Sequence, residues 1–272
     1  MLYGVISPWI RELAGIRQRR TTLLCCDTCG SASFLVRYNE QEMLRLYGNY
    51  RSQFYVATRS KWEPWYSDSY NRSHDSLPWI ASRAETIRVF LDQFLELGET
   101  SIFDVGGDTG DISRQLGAKE VSVVEISNRN TPDEMPMSRA KTKLAILSHV
   151  LEHVSSPKQM MLELLSKYGQ VYVEVPGGVP KQNWLRRNQI VSLIQILISF
   201  QPNIWRKFSK PAAGRITSHL MLRQSEHLTF FTLKGLQLLA KIVDSRVTTR
   251  ETIIEAPDGT PAHVIQAFFK RG

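Results

Sequence analysis

The chain has 272 residues, 42% hydrophobic and 22% charged, which is the balance of a globular protein with one large domain or two small ones. No apolar run reaches the roughly 18 to 20 residues that span a bilayer, and the N-terminus lacks the pattern of a signal peptide, so a cytoplasmic protein is expected. The net charge of +8 is concentrated: between Glu174 and Glu226 there is no acid, while Lys181, Arg186, Arg187, Arg206, Lys207, Lys210, Arg215 and Arg223 all lie there. A local positive field of this kind suits an anionic partner of that segment and excludes an evenly basic nucleic-acid binder.

Residues 1–76 read as an N-terminal module. Ser7-Pro8 opens a helix through Arg19, and Asn39 with Glu42 forms a capping box for a helix from Glu40 to Tyr47. Cys25, Cys26 and Cys29 make one cluster in which Cys26-Asp-Thr-Cys29 supplies one of the two pairs a structural zinc site usually has; the second pair is absent, so a degenerate knuckle with reduced thiols is expected. The stretch from Tyr50 to Asn71 is aromatic and reads as irregular; its rings either pack the module or, as Trp65 and Tyr66, stack on a substrate.

Residues 77–272 read as a second domain. A helix opened by Ser76 and Pro78 leads into an apolar strand ending at Asp104. Gly106, Gly107 and Gly110 follow, then a short helical pattern and a second strand from Glu120 to Ile126, which carries Glu125. This is a β–loop–α–β unit whose loop backbone comes close to a ligand, with an acid at ribose spacing. It lacks the order of a dinucleotide fingerprint and the Lys-Ser/Thr of a P-loop. The segment from Asn128 to Thr142 is polar, so a third strand is short or degenerate. A strand from Leu144 to Leu147 runs into Ser148-His149-Val-Leu-Glu152-His153-Val, and Ser156-Pro157-Lys-Gln159 reads as a capping box. A strand from Val171 to Val175 follows. Residues 179–222 look inserted, with an apolar patch from Ile190 to Phe200; a buried insertion helix or dimer face, a substrate cover and a membrane-surface helix compete for it. Thr232 caps a helix from Leu233 to Val243, and two closing strands, 247–255 and 263–270, form a hairpin.

Asp104-Val-Gly106-Gly107-Asp-Thr-Gly110 resembles motif I of the class I S-adenosylmethionine-dependent methyltransferases, and the Leu-Glu-His-Val segment resembles the stretch after the fourth strand in the sugar and small-molecule members. The resemblance implies an α/β, Rossmann-like class I methyltransferase sheet with an antiparallel last strand, beside the N-terminal module and a helical basic insertion. It implies S-adenosyl-L-methionine as cofactor, held through Asp104, Gly106, Gly107, Gly110, Glu125 and Ser148. Asp108 stands where the family usually has glycine; its carboxylate is placed to pair with the cofactor's ammonium in a tighter pocket. His227, His153 and His149 are the candidate general bases, His227 preferred. Some relatives bind a cation through Glu-x-x-Glu-His here, but His149 occupies the first of those positions and no metal is expected. The acceptor expected is a sugar on a nucleotide or a phosphorylated glycan precursor, with Arg186, Arg187, Arg206 and Lys207 on its anionic part. The alternatives are a small-molecule O-methyltransferase of secondary metabolism and a methyltransferase-like binding protein without catalysis. DNA is not an expected partner and RNA is disfavoured.

Overall fold

The computed structural model describes residues 2–124, 140–177 and 223–272. The described chain divides into two compact units. One comprises residues 2–27, 32–72 and 223–229; the other comprises 28–31, 73–124, 140–177 and 230–272.

The first unit is built on a sheet, although only helices stand out in its sequence. Strands β1 (Leu2–Ile6), β2 (Arg20–Cys25), β3 (Ala32–Phe34), β8 (Arg223–Gln224) and β9 (Thr229–Phe230) align in the order β8-β1-β2-β3-β9. The first helix, expected through Arg19, stops at Ala14 (α1, Pro8–Ala14) because Gly15 takes a left-handed φ of 71°. That releases residues 20–25 to pair with β1. Helix α2 (Glu40–Tyr47) starts as the sequence predicts: Glu42 N donates to Asn39 Oδ1 at 2.9 Å, and Asn39 N donates to Glu42 Oε2 at 2.8 Å. The aromatic stretch is irregular only at 50–52 and 61–67. It forms α3 (Gln53–Ser60), whose N-terminus Ser52 caps by accepting from Tyr55 N at 3.2 Å, and α4 (Asp68–His74). Its rings pack a core of Ile6, Trp9, Ile10, Tyr38, Tyr55 and Tyr66.

The second unit is a six-stranded sheet in the order β10-β11-β7-β6-β4-β5. Its strands are β4 (Thr100–Val105), β5 (Glu120–Val124), β6 (Thr142–Ser148), β7 (Gln170–Pro176), β10 (Ser245–Glu255) and β11 (Pro261–Arg271). Strands β5, β4, β6 and β7 are mutually parallel; β11 runs antiparallel to both β7 and β10. The antiparallel strand expected near the chain's end is therefore β11.

Alternation decides which face each strand residue joins. Ile102, Leu144, Ile146, Tyr172 and Phe268 pack against helix α5 (Leu77–Leu91), through Ala84, Ile87, Phe90 and Leu91. Phe103, Val105, Ala145, Leu147, Val171, Val173 and Ile265 form the other face with α7 (Pro157–Tyr168) and α8 (Leu233–Ile242). Both faces are covered, so the central strands read as continuous apolar runs, and each fully buried side chain contributes about 1.5–3 kcal/mol. Thr232 caps α8, accepting from Gly235 N at 2.9 Å, whereas Ser156 makes no side-chain cap for α7. Pro157, placed where no N–H is needed, starts that helix instead. No described helix is long and apolar enough to cross a membrane.

Candidate functional site

The chain passes from β4 to β5 on one side and returns to β6 on the other, so the carboxyl ends of β4 and β6 flank a topological switch point. Open α/β sheets bind ligands at such points. Both loops singled out in the sequence meet this place.

After β4 the backbone turns through a left-handed Gly106 (φ 73°), whose N–H donates to Val124 O at 2.8 Å. Asp104 is buried, 4% exposed, and its carboxyl group folds over Gly107. A Cβ on Gly107 would stand 2.2 Å from the Asp104 carboxyl, and one on Gly110 (φ 73°) would stand 2.5 Å from Val123 Cγ2. Space therefore requires glycine at 107 and 110, and a left-handed backbone favours it at 106 and 110. Asp108 also takes a left-handed φ, 54°, and is exposed. The main chain keeps the shape a glycine would give, and aspartate is among the few residues that tolerate it. Helix α6 (Asp111–Arg114), which follows, is a single turn.

The second loop follows β6. Its apolar residues Val150, Leu151 and Val154 are buried in the core shared with α7 and α8. His149 has a left-handed φ of 55°, and its N–H donates to Glu174 O at 2.8 Å. His153 lies half-buried in the same turn, with Nε2 3.8 Å from Glu152 Oε1. His227 belongs to the first unit.

A polar row that sequence reading missed crosses the sheet beside this turn. Register aligns Ser148, Glu174, Gln266 and Arg250 on β6, β7, β11 and β10. Ser148 Oγ donates to Glu174 Oε1 at 3.4 Å, Gln266 Nε2 to Glu174 Oε2 at 3.2 Å, and Arg250 Nε to Gln266 Oε1 at 3.1 Å. Tyr172 OH donates to Glu174 Oε2 at 3.1 Å. Arg83, projecting from α5, pairs with Glu174 and donates to Ser148 Oγ at 2.9 Å. Glu174 is fully buried. Burial opposes its ionisation, but Arg83 and His149 outweigh that and hold its pKa down at about 2. Sequence signals for the row exist: Glu174 is an acid inside an apolar strand, and Arg83 lies on the buried stripe of α5 between Ile80 and Ile87.

The remaining expected residues fall in two groups. Tyr66 is 3% exposed, with the Arg59 guanidinium 3.9 Å from its ring centre, and Trp65 packs half-buried on the same core. Both rings thus contribute to the module's packing. Glu125, Arg186, Arg187, Arg206 and Lys207, the third-strand segment from 125 and the insertion 179–222 lie outside the described residues.

A glycine loop after β4, a switch point between β4 and β6 and a reversed β11 beside β7 decide the architecture. It is the class I methyltransferase fold. No protein-family model matches the chain, and no curated protein matches it in sequence. Solved structures similar to it include the Burkholderia thailandensis 1,6-didemethyltoxoflavin-N1-methyltransferase with bound 1,6-didemethyltoxoflavin and S-adenosylhomocysteine. It shares 11% identity over 94% of this chain and 97% of its own, with a TM-score of 0.46. The plantazolicin methyltransferase BpumL, in complex with a monoazolic desmethylPZN analog and SAH, shares 12% over 85% of this chain and 94% of its own, with a TM-score of 0.42. The N-terminal domain of EvdMO1, in the presence of SAH and D-fucose, shares 11% over 70% and 83%, with a TM-score of 0.38.

Proposed function

We propose that the chain transfers a methyl group from S-adenosylmethionine to a small-molecule acceptor. The observation that carries this is the loop from Asp104 to Gly110, in which a buried carboxylate lies over a Cβ-less backbone at the sheet's switch point. Asp104 and the backbone at Gly106 and Gly107 are proposed to hold the methionine part, and Glu125 the ribose. Asp108, exposed at the loop's tip, is suited to the ammonium group. When bound, S-adenosylmethionine supplies a methyl group already activated on its sulfonium. The protein's part is then to align the acceptor, exclude water and take or hold a proton. His153 and His227 are the proposed candidates for the base.

For the acceptor, a small molecule of secondary metabolism is favoured over the sugar expected from the sequence. One support for the sugar, an aromatic lid at Trp65 and Tyr66, is weakened because Tyr66 is buried in the module's core and Trp65 packs partly buried against it. An anionic group on the acceptor, met by Arg186, Arg187, Arg206 and Lys207, stays part of the proposal. The test is methyl transfer from labelled cofactor to parallel panels of phenols, heteroaromatic amines and nucleotide sugars. Label in the first two and none in the third supports the proposal; label only in the nucleotide sugars reverses it. Cofactor binding without transfer to any panel supports the non-catalytic alternative.

A further inference from the structure

In the first unit one half-buried arginine has no acid beside it among the described residues. Arg37 follows β3, and its guanidinium meets two hydroxyls: Nη1 donates to Thr229 Oγ1 at 3.1 Å, and Nη2 donates to Ser33 Oγ. Ser33 Oγ in turn donates to Leu228 O at 3.4 Å. Glu226, close to Thr229 along the chain, is paired with Arg59 at 2.6 Å and accepts from Tyr55. Residues 178–222 contain no acid that could serve instead. Burial lowers the Arg37 pKa and no carboxylate opposes it, whereas Glu226 and Glu63 raise that of Arg59. Removing a cation from water is costly, and two neutral hydroxyls offset only part of that cost.

The arrangement is also held in place. Val36 O accepts from Gln224 Nε2 at 2.8 Å, and Tyr38 OH donates to Ser225 O at 2.9 Å, so the chain is pinned on either side of Arg37. The two hydroxyl oxygens lie 3.5 Å apart and face the edge between Nη1 and Nη2. That leaves the edge between Nε and Nη2, and the Nε is not closed off from solvent as that of Arg83 is. A guanidinium has five N–H donors, and those on this edge are engaged by no described residue.

We propose that Arg37, steadied by Ser33 and Thr229, is a binding site for the carboxylate of a small-molecule ligand. A planar fork matches a carboxylate with two parallel hydrogen bonds. One positive charge balances one carboxylate, whereas a phosphate dianion would keep an excess charge, and no second cation adjoins Arg37 among the described residues. The site stands apart from the methyltransferase reading, because Ser33, Arg37, Leu228 and Thr229 all belong to the first unit.

The test uses the full chain, labelled with nitrogen-15, and follows the Nε–H resonance of Arg37 as benzoate is added. Arg37→Lys identifies that resonance by removing it. Wild type should show a saturable shift with a dissociation constant in the millimolar range, as a single partly exposed ion pair gives. Benzamide, the same ring without the charge, should leave the resonance in place. Thr229→Val and Ser33→Ala keep the guanidinium but free it to turn, and each should weaken benzoate about threefold to tenfold. No saturable shift with benzoate, or an equal shift with benzamide, would overturn the site and leave Arg37 as a strut between Ser33 and Thr229. Inorganic phosphate binding more tightly than benzoate would overturn the carboxylate assignment. Benzoate affinity unchanged in both hydroxyl variants would overturn the part given to Ser33 and Thr229. No cofactor enters the experiment, so its failure leaves the methyltransferase reading untouched, and the reverse holds as well.

Discussion

Each unit contains a buried arginine paired with a buried carboxylate, and the two clusters differ in what closes them. In the first unit Arg59 pairs with Glu63 at 2.7 Å and Glu226 at 2.6 Å, and its guanidinium lies 4.5 Å from the Trp9 ring centre and 3.9 Å from that of Tyr66. Tyr55 donates to Glu226 as well. Aromatic rings close the cluster, and Glu226 and Glu63 together raise the Arg59 pKa against the cost of burial. In the second unit Arg83 meets one acid directly, and the place of a closing ring is taken by His149, whose pKa the neighbouring acids raise against the cost of burial and whose side chain is one-third exposed. The first arrangement is suited to holding a module together. The second leaves a chargeable group at the strand ends where ligands of this fold bind.

The largest expected effect tests whether both clusters are structural in the same degree. Arg59→Met and Arg83→Met each strand a buried acid and should cost about 3–5 kcal/mol in denaturant unfolding. Only Arg83→Met should alter the His149 titration; an equal change from Arg59→Met would erase the distinction. Next, Gly107→Ala drives a Cβ into the Asp104 carboxyl and should weaken S-adenosylmethionine binding by about 1–3 kcal/mol in calorimetry. Affinity unchanged by Gly107→Ala would mean that the loop does not hold the cofactor.

The pH dependence of stability sharpens the contrast further. His149 has a folded pKa raised above its ordinary 6.5, so its contribution is fully present below 6.5 and is lost as pH rises through the raised value. Thermal melts should show this loss in wild type and not in His149→Asn. Glu174, with its pKa at about 2 against an ordinary 4.5, adds stability above 4.5 that disappears only as pH falls toward 2. The smallest effects come from the caps: Asn39→Ala in the first unit and Thr232→Ala in the second should each cost about 1 kcal/mol. Thr232 also donates to Cys29 O at 2.6 Å, so its loss should be the larger of the two.

Local chemistry was legible in the sequence, and pairing over long separations was not. The capping box at Asn39, the glycines at 106 and 107, the cap at Thr232 and the closing hairpin each depend on residues within a few positions of one another. The five-stranded sheet of the first unit joins β1 to residues 223–224, which no short pattern near residue 5 announces. The same holds for Arg83, Glu174 and Gln266, whose meeting needs strand register and helix docking together. Ser156 shows the converse error: a matching pattern, but a backbone at φ −133° and ψ 83° that leaves its hydroxyl off the helix end. Asp108 shows how an apparent departure is absorbed, because the left-handed turn survives with aspartate in it.

The most direct test of the account is calorimetric titration of the intact protein with S-adenosylmethionine, repeated with its demethylated product. The account predicts saturable one-site binding of both in the micromolar range, lost in Gly106→Val, where a branched side chain meets a φ of 73°. No heat from either ligand, with the protein shown folded by its cooperative unfolding, would contradict it.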